Sequence, residues 1–424
     1  MTPALFTYQI VTRLAAPLLG FALTARASNG KEDILRLNER FAKRLPPRRP
    51  GPLVWLHGAS VGESRVLLEL GRRLIAARPG IMLVFTSQTQ TSARLMGKEI
   101  PDNAIHAMAP LDTPMAARRF IQHWKPDLCI FAEGEIWPNL ILEAGKAGAR
   151  RALVNARMTG SSADGWARFS GVFRTLIGNF DVILAADPDT GARLERLLGR
   201  AVRVPGNLKS AQSPPDANPA DLTRLTTTFV NSRRCFVAAS THPGEEELFL
   251  DATERFTDAA LILVPRHPER GDEISDLLKA RRLPFARRSK GDVASPRDRV
   301  LLADTMGEMG LWLRLATAVY LGGGHAADVG GHNPLEPVRL RKPVLTGPSV
   351  FNFAAMMADL EARGLVRTVI DSGDLAAGLS DPPAMSETAI AALEAEADAP
   401  MNATLEALLP LIPKPLLDTS GPGR

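Results

Sequence analysis

Short apolar runs alternate with helix-period segments along this chain, and the alternation occurs twice with a break between. Val54 to Leu56, Ile81 to Phe85, Leu128 to Phe131, Ala152 to Asn155, Val182 to Ala185 and Val202 to Val204 read as strands. Between them Ser64 to Ala77, with Val66, Leu67, Leu70, Leu74 and Ile75 on one face, and Thr89 to Met96 read as helices. A polar, proline-bearing stretch from Ser210 to Pro219 closes the first series. In the second, Cys235 to Ala239, Leu261 to Val264, Val300 to Ala303, Ala318 to Leu321 and Pro343 to Leu345 are strands. Gly244 to Phe256, Asp272 to Arg281, Gly307 to Leu315 and Leu335 to Leu340 are the helices between them. Strands and helices taking turns predict parallel sheets covered on both faces. With 424 residues the chain is too long for one ordinary core. The expected division is an N-terminal segment 1–50, a first α/β domain 51–210 and a second 211–424. Ligands of open parallel sheets bind beyond the carboxyl ends of the strands, so two such domains facing each other would line a cleft with their binding residues.

The segment before the first domain is apolar and then basic. Ala4 to Thr24 is mostly apolar, but Arg13 and Pro17 interrupt it, and the uninterrupted stretch Leu14 to Thr24 is too short to span a bilayer. Arg26, Lys31, Arg36, Arg40, Lys43, Arg44, Arg48 and Arg49 follow, against Glu32, Asp33 and Glu39. Such a stretch suits an anionic cytoplasmic leaflet; the competing reading is a helix packed on the domain with a solvated basic face. Pro46 to Pro52 reads as a rigid linker. The chain's net charge of +5 comes without interleaved aromatic and basic residues, which argues for an anionic ligand or membrane surface and against nucleic acid. Cys129 and Cys235 each lie inside an apolar run and read as buried thiols.

The densest loop is Leu321-Gly-Gly-Gly-His-Ala-Ala-Asp-Val-Gly-Gly-His-Asn-Pro-Leu-Glu336. Asn333 suits an N-cap, Pro334 the first helical position and Glu336 the third, where a carboxylate reaches back to the cap. A glycine loop running into a helix start brings backbone N–H groups close to a ligand and favours a phosphate. There is no Walker A pattern and no dinucleotide spacing, so neither ATP hydrolysis nor hydride transfer is indicated. His242, His267, His325 and His332 lack the i, i+4 spacing with a carboxylate of zinc enzymes, and no metal or cofactor is expected.

Two stretches in the first half carry carboxylates at strand ends. In His57-Gly-Ala-Ser-Val-Gly-Glu63, Ser60 and Glu63 fit a capping box, while a carboxylate at that place also suits a general base. In Phe131-Ala-Glu-Gly-Glu-Ile-Trp-Pro-Asn139, Glu133 and Glu135 repel each other unless a cation or shared proton intervenes; Arg157 or Lys209 can supply the cation. In the second half Ser240-Thr-His-Pro-Gly-Glu245, Pro265-Arg-His-Pro-Glu-Arg270 and Asp304-Thr-Met-Gly-Glu308 also follow strands, and their hydroxyls, arginine and helix-start amides suit a nucleotide.

These stretches, with Asn155-Ala-Arg157, Gly206-Asn-Leu-Lys209 and Gly330-Gly-His-Asn-Pro-Leu-Glu336, resemble in order the motifs of the bacterial 3-deoxy-D-manno-octulosonic acid (Kdo) transferases. The resemblance covers nearly the whole chain. It implies the GT-B glycosyltransferase fold, two Rossmann-like domains facing across a cleft, the first for the acceptor and the second for CMP-Kdo. It further implies transfer of Kdo from CMP-Kdo to the lipid A precursor (lipid IVA) at the cytoplasmic side of the inner membrane, without a metal. By motif, Glu63 is the base, with Glu133 and Lys209 supporting the transition state. Pro265, Arg266, Met306, Gly307, Glu308, Asn333, Pro334, Leu335 and Glu336 contact CMP on the same implication. Two departures stand out: the family's membrane helix is usually clearer, and Gly322-Gly-Gly324 has glycine where a hydroxyl residue commonly follows the pair. A related GT-B enzyme using another nucleotide sugar and a nucleotide-binding protein without turnover are the other readings.

Overall fold

The structure is a computed structural model that describes residues 2–28, 32–211 and 214–414; Lys31 of the basic stretch lies outside them. Six strands form the first sheet: β1 (Leu53–His57), β2 (Met82–Ser87), β3 (Ala104–Met108), β4 (Leu128–Ala132), β5 (Arg150–Ala156) and β6 (Val182–Ala185). They are parallel, in the order β3-β2-β1-β4-β5-β6, the Rossmann arrangement whose order reverses between β1 and β4. Every residue of β1, β2 and β4 is buried, which is why these strands read as unbroken apolar runs. Along β1 the pleat sends Trp55 into a core with Phe120, Trp124 and Phe131, and Val54 and Leu56 into one on the other face with Leu67, Leu70 and Phe85.

The second sheet has seven strands: β7 (Cys235–Thr241), β8 (Ala260–Pro265), β9 (Phe285–Arg287), β10 (Val300–Leu302), β11 (Ala318–Leu321), β12 (Val344–Thr346) and β13 (Val366–Thr368). They too are parallel, ordered β13-β12-β11-β7-β8-β10-β9, with the reversal between β7 and β11. The strands that the sequence does not announce, β3, β9 and β13, are all at sheet edges and carry His106, Arg287 and Arg367 in place of an apolar run. Val202 to Val204, expected as a strand, makes only a single bridge, Arg203 to Leu184.

Two expectations are corrected. Residues 396–414 belong to the first unit and the described residues 214–395 to the second, whereas the sequence suggests a second domain running from 211 to 424. The helix Glu387–Leu408 contributes Ile390 and Leu393 to the second core, then Met401 and Leu408 to the first, where Ile412 follows. No break in composition marks that change of partner. Pro17, in turn, does not break the N-terminal helix, which runs from Pro3 to Ser28. Those 26 residues are, by length and composition only, enough to cross a membrane.

His106 on β3 gives a pH-dependent prediction. Arg36 Nη1, a donor only, lies 3.1 Å from its Nδ1, so the ring proton sits on Nε2, 3.0 Å from Ser87 Oγ. Burial, then the charge of Arg36, pushes this histidine from 6.5 down to about 3. The unfolded chain therefore binds a proton below about pH 6.5 that the folded ring refuses. Stability present above that pH falls as the pH drops toward the folded value, by up to about 1.4 kcal/mol per pH unit from this group. Urea midpoints measured from about pH 7 to about pH 4 are expected to decline less steeply in His106→Gln than in wild type.

Candidate functional site

Each of the two units carries candidate residues at the carboxyl end of its own sheet. In the first, β1 ends at His57 and the chain turns through Gly58 into the helix Val61–Ala77. Any side chain at Gly58 would begin 3.0 Å from Glu63 Cβ and 2.9 Å from Leu67 Cδ1, so only glycine lets the loop close over its helix. Glu63 Oε2 accepts the Ala59 N–H at 2.6 Å and Oε1 accepts the Ser60 hydroxyl at 2.9 Å, while Ser60 Oγ accepts the Glu63 N–H at 3.2 Å. Ser60 caps the helix as expected, while Glu63 reaches one residue past the cap to the Ala59 N–H, and these bonds hold the carboxylate in one rotamer, only 8% exposed, at the carboxyl end of the sheet.

Beside it, at the end of β4, Glu133 and Glu135 part company. Lys209 Nζ lies 2.7 Å from Glu133 Oε1, with Asn155 Nδ2 3.3 Å from the same oxygen. Glu135 turns instead to Trp137 Nε1 at 2.6 Å and His57 Nε2 at 3.5 Å. Burial alone would raise the Glu135 pKa, but His57 and Trp137 outweigh it and hold the carboxyl below its usual range. Of the two cations offered by the sequence the fold selects Lys209; Arg157 is exposed. Asn155 Oδ1 accepts the Leu208 N–H at 2.9 Å, which ties the Lys209 segment to β5. The lysine ammonium also lies 3.8 Å from where a side chain at Gly62 would begin, alongside the turn that holds Glu63. Glu133 (φ 53°) and Asn155 (φ 50°) both occupy the left-handed region, a conformation costing about 1–3 kcal/mol for a residue such as Glu and concentrated at functional loops.

In the second unit Ser240, next to last in β7, has the same left-handed backbone, φ 57°. A small cavity of about 140 Å³ beside it is lined by Ser240, Met309, Leu313, His332, Asn333 and Glu336, among others. Asn333 Oδ1 accepts the Leu335 N–H at 3.1 Å, and the helix, read from the sequence as Leu335 to Leu340, runs from Leu335 to Arg339 with Pro334, expected at its first position, at the N-cap in place of Asn333. Of the other expected nucleotide contacts, Pro265 is buried at the end of β8 and Arg266 exposed just after it. Met306 is 72% exposed, and Gly307, φ 84°, turns the chain toward Glu308. Glu308 accepts from Arg288 at 2.6 Å and from the Thr305 hydroxyl. Burial pushes the Glu308 pKa up, but these two donors more than offset it and keep the group ionised. The structure brings Asn333 and Glu336 to one cavity and leaves Arg266, Met306, Gly307 and Glu308 on separate strand ends of the same face.

Three features escape the sequence. His332 stacks on His242 with Nε2 to Nε2 3.0 Å, and burial, then the charges of His242 and Arg266, lowers it to about 4. Glu246, fully buried, accepts both Arg270 Nη1 at 2.7 Å and Arg270 Nη2 at 3.1 Å, plus the Thr241 hydroxyl at 2.6 Å. Glu245 takes up the Gly323 and His325 amides of the glycine loop, so these two are not open to a ligand. The doubled glutamate at a helix start was the available signal for the last two. Among the described residues no group of three or more His, Cys, Asp or Glu is placed to hold a metal ion.

Two Rossmann-like units, with polar and charged groups gathered at the carboxyl ends of both sheets, have the GT-B fold. A glycosyltransferase crystal structure from Rickettsia africae superposes with a TM-score of 0.51 at 10% identity, over 86% of this chain and 99% of that one. The model of the 3-deoxy-D-manno-octulosonic-acid transferase family matches residues 35–212. The Rickettsia bellii 3-deoxy-D-manno-octulosonic acid transferase is 34% identical over 81% of this chain and 82% of its own length. The Bordetella pertussis one is 34% identical over 95% and 98%. The chain belongs to the 3-deoxy-D-manno-octulosonic acid transferase family.

Proposed function

We propose that this protein transfers Kdo from CMP-Kdo to a sugar hydroxyl of the tetraacyldisaccharide lipid A precursor, lipid IVA, with Glu63 as general base. Membership of the family supports the sugar, and the observation that carries the chemistry is the trio Glu63, Glu133 and Lys209 at the reversal point of the first sheet. A hydroxyl is a poor nucleophile until its proton is taken. Each oxygen of Glu63 accepts a single hydrogen bond from its cap, which leaves lone pairs to receive that proton. As the acceptor oxygen bonds to the anomeric carbon, the bond from that carbon to the phosphate oxygen breaks and CMP leaves. The Lys209 charge, fixed by Glu133, stabilises negative charge beside the reacting hydroxyl. In the second unit Pro265, Arg266, Met306, Gly307, Glu308 and Asn333 through Glu336 receive CMP. Incubation with CMP-Kdo and lipid IVA, followed by mass spectrometry of the lipid, is expected to show added Kdo and released CMP. Release of UDP from a UDP-sugar, with no gain of Kdo, would overturn this reading in favour of another nucleotide sugar.

We further propose that the protein works on the cytoplasmic side of the inner membrane and docks through the outer face of its N-terminal helix. Phe6, Ile10, Leu14, Leu18 and Phe21 form a stripe along Pro3–Ser28 and are 42–76% exposed. The opposite face is held to the first unit: Leu5 and Leu23 are buried, Tyr8 Oη donates to Asp112 at 2.8 Å, and Asn139 Nδ2 donates to Thr12 Oγ1 at 3.2 Å. A helix held along its length favours lying in the interface over spanning. Much of the basic stretch is already engaged. Arg36 pairs with Glu39 at 2.7 Å, Arg40 bonds the Ala109 carbonyl, Arg48 donates to the Trp124 carbonyl at 2.7 Å and Arg49 to the Asp102 carbonyl at 2.8 Å. Vesicle binding is therefore expected to depend more on the apolar stripe than on lipid charge. Leu14→Glu with Leu18→Glu should abolish it, each buried leucine contributing about 1.5–3 kcal/mol, whereas raising the salt should weaken it only modestly. Flotation with anionic and neutral vesicles tests both arms, and retention of binding by the double variant would discard the stripe as the anchor.

A further inference from the structure

We propose that Glu245 is a positioning residue of the donor site, an internal carboxylate around which the glycine loop is wound. It is 1% exposed and opens the helix Glu245–Thr253. Its Oε2 accepts the Gly323 N–H at 2.8 Å and the His242 N–H at 2.9 Å; its Oε1 accepts the His325 N–H at 3.0 Å, with the Tyr320 hydroxyl 3.2 Å away. Three backbone amides from the loops after β7 and β11 thus converge on one carboxylate at the reversal point of the second sheet. Such converging amides are how loops of this kind hold phosphate oxygens. Here the protein's own anion fills the slot, so the phosphate of a donor is bound by other groups and the glycine loop serves to place them.

The contacts run on from the carboxylate to the nucleotide residues. A side chain at Gly322 would begin 2.7 Å from Glu245 Oε2 and 2.5 Å from the Ser240 carbonyl, so the loop closes on the carboxylate only because no Cβ is there. The Gly323 carbonyl accepts the Gly331 N–H at 3.0 Å, and the place of a Gly323 side chain lies 3.0 Å from the His332 ring. His332 in turn lines the cavity with Asn333 and Glu336. Losing the carboxylate frees three inward donors and lets the 322–332 loop shift, and a displacement of about 1 Å in a binding residue can cost about a hundredfold.

The test uses the full chain and rests on the reading that CMP binds the second unit. Glu245→Ala is expected to bind CMP about ten- to a hundredfold more weakly, to exchange deuterium faster in peptides covering residues 321–325, and to regain both properties when formate or acetate fills the slot. Glu245→Gln keeps the size but turns an NH₂ toward amide donors, so it should bind CMP weakly and gain nothing from formate. Wild-type affinity in Glu245→Gln would overturn the proposal, and so would a loss in Glu245→Ala that neither anion repairs. If wild type binds no CMP, the donor reading fails, while the loop exchange and its response to formate still decide the role of Glu245.

Discussion

Glu63→Gln is expected to slow Kdo transfer by about 10² to 10⁴ and to leave CMP affinity as it is in wild type. The capping role seen in the structure and the proposed role as base can be separated because glutamine keeps one and loses the other. Its carbonyl oxygen can still accept from Ala59 N–H or the Ser60 hydroxyl, the bonds that now hold Glu63, so the cap should lose no more than about 1 kcal/mol. It cannot take a proton from the acceptor hydroxyl. Glu63→Ala removes the cap as well, so its further effect should appear in the melting temperature. Steady-state transfer rates, CMP calorimetry and thermal melts on the same preparations check all three statements. Near-normal transfer by the glutamine variant would remove Glu63 as base and make Glu133 the next carboxylate to replace.

The largest stability effect is expected from Arg270→Met, which should destabilise the fold by about 3–5 kcal/mol. Arg270 grips Glu246 through two nitrogens; the Glu246 side chain is 1% exposed and that of Arg270 12%. Without the guanidinium, the Thr241 hydroxyl is the one remaining side-chain donor to this buried carboxylate among the described residues, far short of what desolvating it requires. The penalty belongs to the stranded charge more than to the lost attraction. Adding Glu246→Gln to Arg270→Met should therefore recover much of the loss, whereas a simple sum would predict further damage. Calorimetric melts of the two variants separate these outcomes, and a cost below about 1 kcal/mol for Arg270→Met would mean that the pair behaves like a surface one. The pair also joins the segments that follow β7 and β8, so the melt reports on the end of the sheet where nucleotide contacts are proposed.

Residues near in sequence settled much of this protein without help. Runs such as Val54 to Leu56 and Leu128 to Phe131 are apolar on both faces because they lie under two helix layers, and that pattern alone implies parallel sheets. The Ser60 and Glu63 capping box is legible for the same reason, since its partners lie within one helical turn. Only the tertiary structure decided which distant segments meet. Pairing β1 with β4 puts the turn at Glu63 beside Glu133, and the fold of Gly206 to Lys209 against Asn155 selects Lys209 over Arg157. The glycine loop reads from sequence as a cradle of open amides, yet the β7 to β11 pairing delivers Glu245 into it from nearly eighty residues away. Residues 396–414 return to the first unit through Met401, Leu408 and Ile412, whose apolar character suits either core equally. Periodicity and capping are properties of a few consecutive residues, whereas the partner of a buried charge or an apolar face is set by strand order and packing, which no local window contains.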